Sequence, residues 1–175
     1  QKAAKRIVSE FDGVFPSDIE LLKTLPGIGE YTAGAIASIA YGQRAAAVDG
    51  NVIRVFARFL NIDIVISDDK HKKELAKVLE KVSPTDKCGD FTQALMELGA
   101  LVCLPGTPKC ESCPWKAECK GRAAGRAVDL PTLPPKPVKE KVDMTVCVLR
   151  KGENVFLRKR ADKGLLAGLW EPWHT

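Results

Sequence analysis

The stretch SDIELLKTLPGIGEYTAGAIASIA, residues 17–40, decides the fold. Ser17 followed three residues later by Glu20 has the form of a capping box, which predicts a short helix ending at Pro26. YTAGAIASIA, residues 31–40, predicts a second helix made almost wholly of small residues. Small side chains let another backbone, or a ligand, come close. Leu25-Pro26-Gly27-Ile28-Gly29 joins the two helices. Its glycines leave backbone N–H groups uncovered beside a helix N-terminus, the positive end of the helix dipole. Two readings fit this turn: a tight connection between packed helices, or a seat for a phosphate that positions a nucleic acid without reading its sequence.

Downstream the helical signal continues. In DGNVIRVFARFL, residues 49–60, Val52, Val55, Phe56 and Phe59 recur at the spacing of one helix face. Arg54 and Arg58 share another face, as solvated or ion-paired positions or as phosphate contacts. DDKHKKELAKVLEKV, residues 68–82, repeats the pattern through Leu75, Val78, Leu79 and Val82, with a lysine-rich face expected to be solvated. FTQALMELGALVC repeats it through Phe91, Leu95, Leu98 and Val102. The reading is an all-α domain over residues 1–120. Asp49 opens one of these helices, as an N-cap or as a functional carboxylate.

Four of the six cysteines crowd into residues 103–119, spaced Cys103-x6-Cys110-x2-Cys113-x5-Cys119, while Cys88 and Cys147 stand alone. A disulfide framework would spread them through a short secreted chain. No signal segment or membrane-length apolar run is present, so the cluster reads as a metal site in a reducing compartment. Four thiolates can hold zinc or a [4Fe–4S] cluster. One tight pair flanked by single cysteines suits the cube better than the paired spacing of structural zinc sites. The composition, 45% hydrophobic and 28% charged with a net charge of +5, is that of a globular protein compatible with a polyanion partner.

Beyond Cys119 the character changes. Residues 121–141, with four prolines between 131 and 137, read as a linker. Residues 142–175 read as strand, turn, strand, the opening hairpin of a second domain too short to hold its own core. A chain that starts at Gln1 reads as a piece of something longer.

The cysteine spacing after a helix resembles the iron–sulfur loop of the endonuclease III class of DNA glycosylases. Helix, LPGIG, helix is the helix-hairpin-helix of that superfamily, and an Asp at the position of Asp49 follows it in the same order. EYTAGAI, VDGNVIRV and ALMELGALVC together resemble the adenine DNA glycosylase branch. The lyase branch has lysine where Tyr31 stands. VFLRKR and GLLAGLWE resemble the start of that branch's C-terminal Nudix-like domain, whereas EPWHT departs from it.

The resemblance implies hydrolysis of the N-glycosidic bond of adenine mispaired with 8-oxoguanine or guanine in double-stranded DNA. It implies Asp49 as the essential carboxylate, with Asn51 and Tyr31 orienting it and the attacking water. Leu25, Gly27, Gly29 and Arg54 would touch DNA, and Cys103, Cys110, Cys113 and Cys119 would hold a [4Fe–4S] cluster. It matches no residue here to the family's general acid, so this chain alone is expected to be inactive. A monomer in the bacterial cytoplasm at the nucleoid, with no membrane partner, completes the expectation. A pyrimidine-removing glycosylase of the same superfamily, and a non-catalytic metal-stabilised DNA-binding module, are the alternatives.

Overall fold

The computed structural model describes residues 1–65, 68–134, 138–139 and 141–174, in two units, Gln1–Pro135 and Lys136–Thr175. The first unit is helical: α1 Lys2–Glu10, α2 Ile19–Thr24, α3 Glu30–Tyr41, α4 Gly50–Leu60, α5 Asp69–Val82, α6 Cys88–Glu97 and the short α7 Lys120–Ala123. α6 runs directly into one π-helical turn, Leu98–Val102.

α2 starts one residue later than the capping box suggests. Asp18, not Ser17, is its N-cap, and the Asp18 carboxylate accepts the Leu21 N–H at 2.9 Å. Ser and Asp cap about equally well, so the backbone path decides between neighbours. The Ser17 carbonyl instead accepts the Gln43 side-chain amide at 3.0 Å.

The small residues of α3 are explained on both sides of the helix. A Cβ on Gly34 would lie 2.0 Å from the Ala46 carbonyl oxygen, and one on Gly89 of α6 would lie 2.9 Å from the Ser38 carbonyl oxygen. Ala33, Ala37 and Ser38 are buried between these neighbours. The same helix closes an apolar cluster with Leu22, Leu25 and Ala45.

α4 is the centre of the larger cluster. Its residues from Val52 through Arg58 are all buried, packed with Ile64, Leu75, Leu79, Leu95 and Leu98. Fully burying one such aliphatic side chain contributes roughly 1.5–3 kcal/mol. α5 presents only a narrow edge to this core. Leu75 and Leu79 are buried, but Val78 and Val82 remain 46% and 57% exposed, against the expectation of a four-residue face.

The segment read as linker from residue 121 belongs, up to residue 134, to the helical unit. Leu130 is 1% exposed and sits in the α4 cluster, and the Thr132 N–H donates to the Ile64 carbonyl at 3.0 Å. Arg126 pairs with Asp63 at 2.6 Å. The prolines signal an irregular path, but one buried leucine, a backbone hydrogen bond and an ion pair dock it.

The second unit consists of three short antiparallel pairs: β1 Val146–Cys147 with β6 Trp173–His174, β2 Arg150–Lys151 with β3 Asn154–Val155, and β4 Arg158–Lys159 with β5 Trp170–Glu171. The expected hairpin turns at Gly152, whose φ of +60° favours glycine. None of the described residues of this unit is buried. Glu171 ties it together, accepting from Arg158 at 3.0 Å and pairing with Arg160 and with His174. The EPWHT segment thus supplies a paired strand and part of an ionic cluster. No helix among the described residues is long and apolar enough to cross a membrane.

Candidate active site and cysteine centre

The hairpin turn is open where a ligand would need it to be. The Ile28 N–H donates to the Leu25 carbonyl at 3.1 Å, and Gly27 has a φ of +86°, which favours glycine. A Cβ on Gly27 or Gly29 would meet nothing within 4 Å. Gly29 caps α3 without a side chain, so it supplies no side-chain acceptor to the first-turn N–H groups. Leu25 is different. Its side chain is 1% exposed, so it holds the turn from within and offers a ligand only backbone.

Asp49 lies at the N-terminus of α4, half-buried at the edge of an open cleft of about 710 Å³. Tyr31, Gly34, Ala46 and Asp49 line the cleft, together with Lys72 and Lys73 of α5. The two lysines lie on the solvated face expected of α5, and there they also border this open cleft. Both sequence readings of Asp49 apply at once. Its Oδ1 accepts the Val52 N–H at 2.8 Å as an N-cap, and its Oδ2 accepts the Asn51 side-chain amide at 2.9 Å. One carboxylate is therefore gripped at both oxygens while its residue still borders open space.

Tyr31 stands in the same cleft, 39% exposed. Burial, and then the negative charge of Asp49, raise its phenol above the usual tyrosine range. Its hydroxyl donates to the Met96 sulfur at 3.9 Å. Tyr31 is thus within the field of Asp49, but Asn51, not Tyr31, is the side chain that holds the carboxylate.

Arg54 does not reach toward DNA. It is 6% exposed, and it donates to the Cys103 carbonyl at 2.7 Å, the Gly99 carbonyl at 2.8 Å and Asn51 Oδ1 at 2.9 Å. Burial lowers its guanidinium pKa from the usual value, with Cys103 and Asp49 opposing. The result is a continuous chain of contacts, Asp49 to Asn51 to Arg54 to the Cys103 backbone. Gly99, in the π-helical turn, makes room for it: a Cβ there would lie 2.7 Å from the Asn51 Cβ.

Arg58 is also buried, at 2% exposure. It donates to the carbonyls of Leu130 at 2.8 Å, Leu104 at 2.7 Å and Gly106 at 3.2 Å, and to the Cys103 sulfur at 3.4 Å. The sequence reading missed this role. The signal was present: α4 is apolar on nearly every side, and a helix apolar all round is a buried one.

Cys103, Cys110, Cys113 and Cys119 line one small cavity of about 30 Å³, with Arg58 and Ala127 also in its wall. Burial raises the Cys113 thiol, a backbone N–H at Trp115 opposes this, and the three other thiols raise it further. The four thiols thus surround one cavity with a backbone N–H donor at hand, a donor set whose chemistry fits a cluster wanting four thiolates. Among the described residues no three His, Cys, Asp or Glu side chains are placed to hold a single metal ion. The loop docks on α4 through Trp115, whose ring lies 5.0 Å from that of Phe59 and 6.1 Å from that of Phe56. Cys88 is buried elsewhere, its thiol donating to the Gly42 carbonyl at 2.8 Å, and Cys147 is exposed.

Residues 10–39 match the helix-hairpin-helix motif family. Over 97% of its length the chain is 39% identical to an adenine DNA glycosylase of Arabidopsis thaliana, covering 29% of that protein. It is 36% identical to an adenine DNA glycosylase of Homo sapiens over 98% of its length, covering 40% of that protein. A Buchnera aphidicola adenine DNA glycosylase is 34% identical over 94% of the chain, which covers 46% of it. The chain thus spans less than half the length of these relatives. Among solved structures, a thermostable thymine-DNA glycosylase superposes with a TM-score of 0.62 at 31% identity, over 70% of this chain and 56% of that one. Endonuclease III in a non-covalent DNA complex superposes with a TM-score of 0.59 at 31% identity, over 72% of this chain and 57% of that one.

Proposed function

We propose that this chain, which has the helix-hairpin-helix glycosylase fold of the endonuclease III family and is similar in sequence to adenine DNA glycosylases, is the DNA-gripping, carboxylate-bearing part of a base-excision repair glycosylase. Its substrate is adenine opposite 8-oxoguanine or guanine in duplex DNA, and its reaction is hydrolysis of the N-glycosidic bond. The observation that carries this reading is Asp49, fixed at both oxygens yet lining an open cleft on the same unit as the uncovered hairpin turn.

The chemistry follows from that placement. A base inside a duplex is out of reach, so the target nucleotide is extruded, at a cost of a few kcal/mol that is smallest at a mispair. The backbone N–H groups near Gly27 and Gly29 hold a phosphate of the strand without reading sequence. As the glycosidic bond breaks, positive charge grows on the sugar, and a carboxylate held in place beforehand stabilises it without reorganising. Asp49 supplies that charge, and Asn51 fixes its direction. Tyr31 has no amine to attack the sugar, so the reading is hydrolysis without strand cleavage. The leaving adenine needs a proton, and none of residues 1–175 is given that role.

The thiols of Cys103, Cys110, Cys113 and Cys119 would hold a [4Fe–4S] cluster. Their spacing, one tight pair flanked by single cysteines, and their place around one cavity support it over zinc. The cluster would act as a cross-link that keeps Lys109, Lys116 and Lys120 of the loop in position for the phosphodiester backbone. The reading also takes residues 142–174 as the start of a Nudix-like 8-oxoguanine-recognising domain, and places a monomeric protein in the bacterial cytoplasm.

Single-turnover assays of the full-length protein test it, on duplexes with one A:8-oxoguanine, A:G or T:G pair. The expected outcome is adenine release from the first two, with no strand incision. Pyrimidine release, or a borohydride-trapped adduct on the sugar, would replace it with the pyrimidine-removing reading.

A further inference from the structure

Arg58 has no part in the proposed reaction, yet its buried side chain touches separate pieces of the chain. The guanidinium donates to Leu130 of the segment that follows α7, to Leu104 and Gly106 of the cysteine loop, and to the Cys103 sulfur itself. Its backbone packs against the same region: the Arg58 carbonyl oxygen lies 3.5 Å from the Cys119 sulfur, and a Cβ on Gly121 would lie 2.3 Å from that oxygen. Ala127, from the same following segment, lines the thiol cavity.

We propose that Arg58 is the positioning residue of the cysteine centre, fastening Cys103 and the segment 121–134 together so that docking of this segment and retention of the metal are one event. The proposal rests on reading the four thiols as iron–sulfur ligands. A planar, permanently charged guanidinium can serve carbonyls on several sides and a sulfur at once; an ammonium cannot. A hydrogen bond to a ligating sulfur also tunes the reduction potential of the cluster it holds. That effect separates positioning from mere packing.

The test uses anaerobically purified full-length protein, measuring iron per chain, the rate of iron loss to a chelator, and the midpoint potential. Arg58→Met should lose iron about 10–100-fold faster, the usual consequence of removing a partner of a metal ligand, and should shift the potential of what remains. Arg58→Lys should fall between Met and the native residue. Arg126→Ala removes the contacts of the following segment with Asp63 and Asn61 without touching a sulfur. It should accelerate iron loss by a smaller factor and leave the potential where it was. Native-like iron retention and potential in Arg58→Met overturn the proposal. If that variant does not accumulate, native-like values in Arg58→Lys overturn it equally. A native protein that carries no iron fails earlier, because then the thiols are not cluster ligands at all.

Discussion

The two ends of α4 show opposite uses of the same helix. At its start, Asp49 satisfies the helix N-terminus and still borders an open cleft beside Tyr31. About two and a half turns on, Arg58 is enclosed: among the described residues its side-chain hydrogen bonds go to loop carbonyls, a sulfur and the segment after α7, and Gly121 packs directly against its carbonyl. Between them, Arg54 ties Asn51 to Cys103. The open end can meet charge developing on a substrate; the sealed end can only hold its neighbours in place. The difference teaches that a charged side chain on a central helix is functional when its surroundings leave it room, and architectural when they do not.

Asp49→Asn should have the largest effect at the open end. Asparagine caps a helix as well as aspartate, so thermal unfolding should change little. The charge is lost, and excision by the full-length protein should fall by at least about 10²–10³-fold, with affinity for the mispaired duplex retained. Near-normal turnover would reduce Asp49 to a cap and erase the contrast. At the sealed end the expected change is in stability. Gly121→Ala places a methyl 2.3 Å from the Arg58 carbonyl oxygen, backbone against backbone, and should cost about 1–3 kcal/mol in chemical denaturation. An unchanged midpoint would mean that α7 is not seated on α4 as described.

The smallest effect is spectroscopic. The Tyr31 phenol is raised first by burial and then by the charge of Asp49. Its ultraviolet titration should therefore begin at a pH above that of an ordinary tyrosine. In Asp49→Asn the second cause disappears and the first remains, so the transition should move part of the way back down. No movement would place Tyr31 outside the field of Asp49.

Much of this arrangement was legible in residue order. The helical hairpin, the small-residue helix and the cysteine spacing are local patterns: periodicity, turn chemistry and composition act within a few residues, and no distant partner can alter them. α3 illustrates it, since a helix of Ala, Gly and Ser announces close neighbours before those neighbours are known. Asp49 was legible as both cap and carboxylate, because capping is decided by the next three residues.

The misread positions share a cause. Arg54 and Arg58 looked like surface cations because charge usually means solvent, and the backbone carbonyls that hold them lie more than 40 residues away in the chain. Residues 121–134 looked like linker because prolines speak for the backbone, whereas Leu130 is held by a space that α4 and its neighbours leave open. Lys72 and Lys73 are solvated as their composition suggests, but that they border the cleft follows from where Leu75 and Leu79 pack α5. Helices, turns and ligand types are written locally, in the energetics of adjacent residues. Burial of a charge, docking of an irregular segment and the wall of a cleft depend on long-range packing, which exists only once the helices have met.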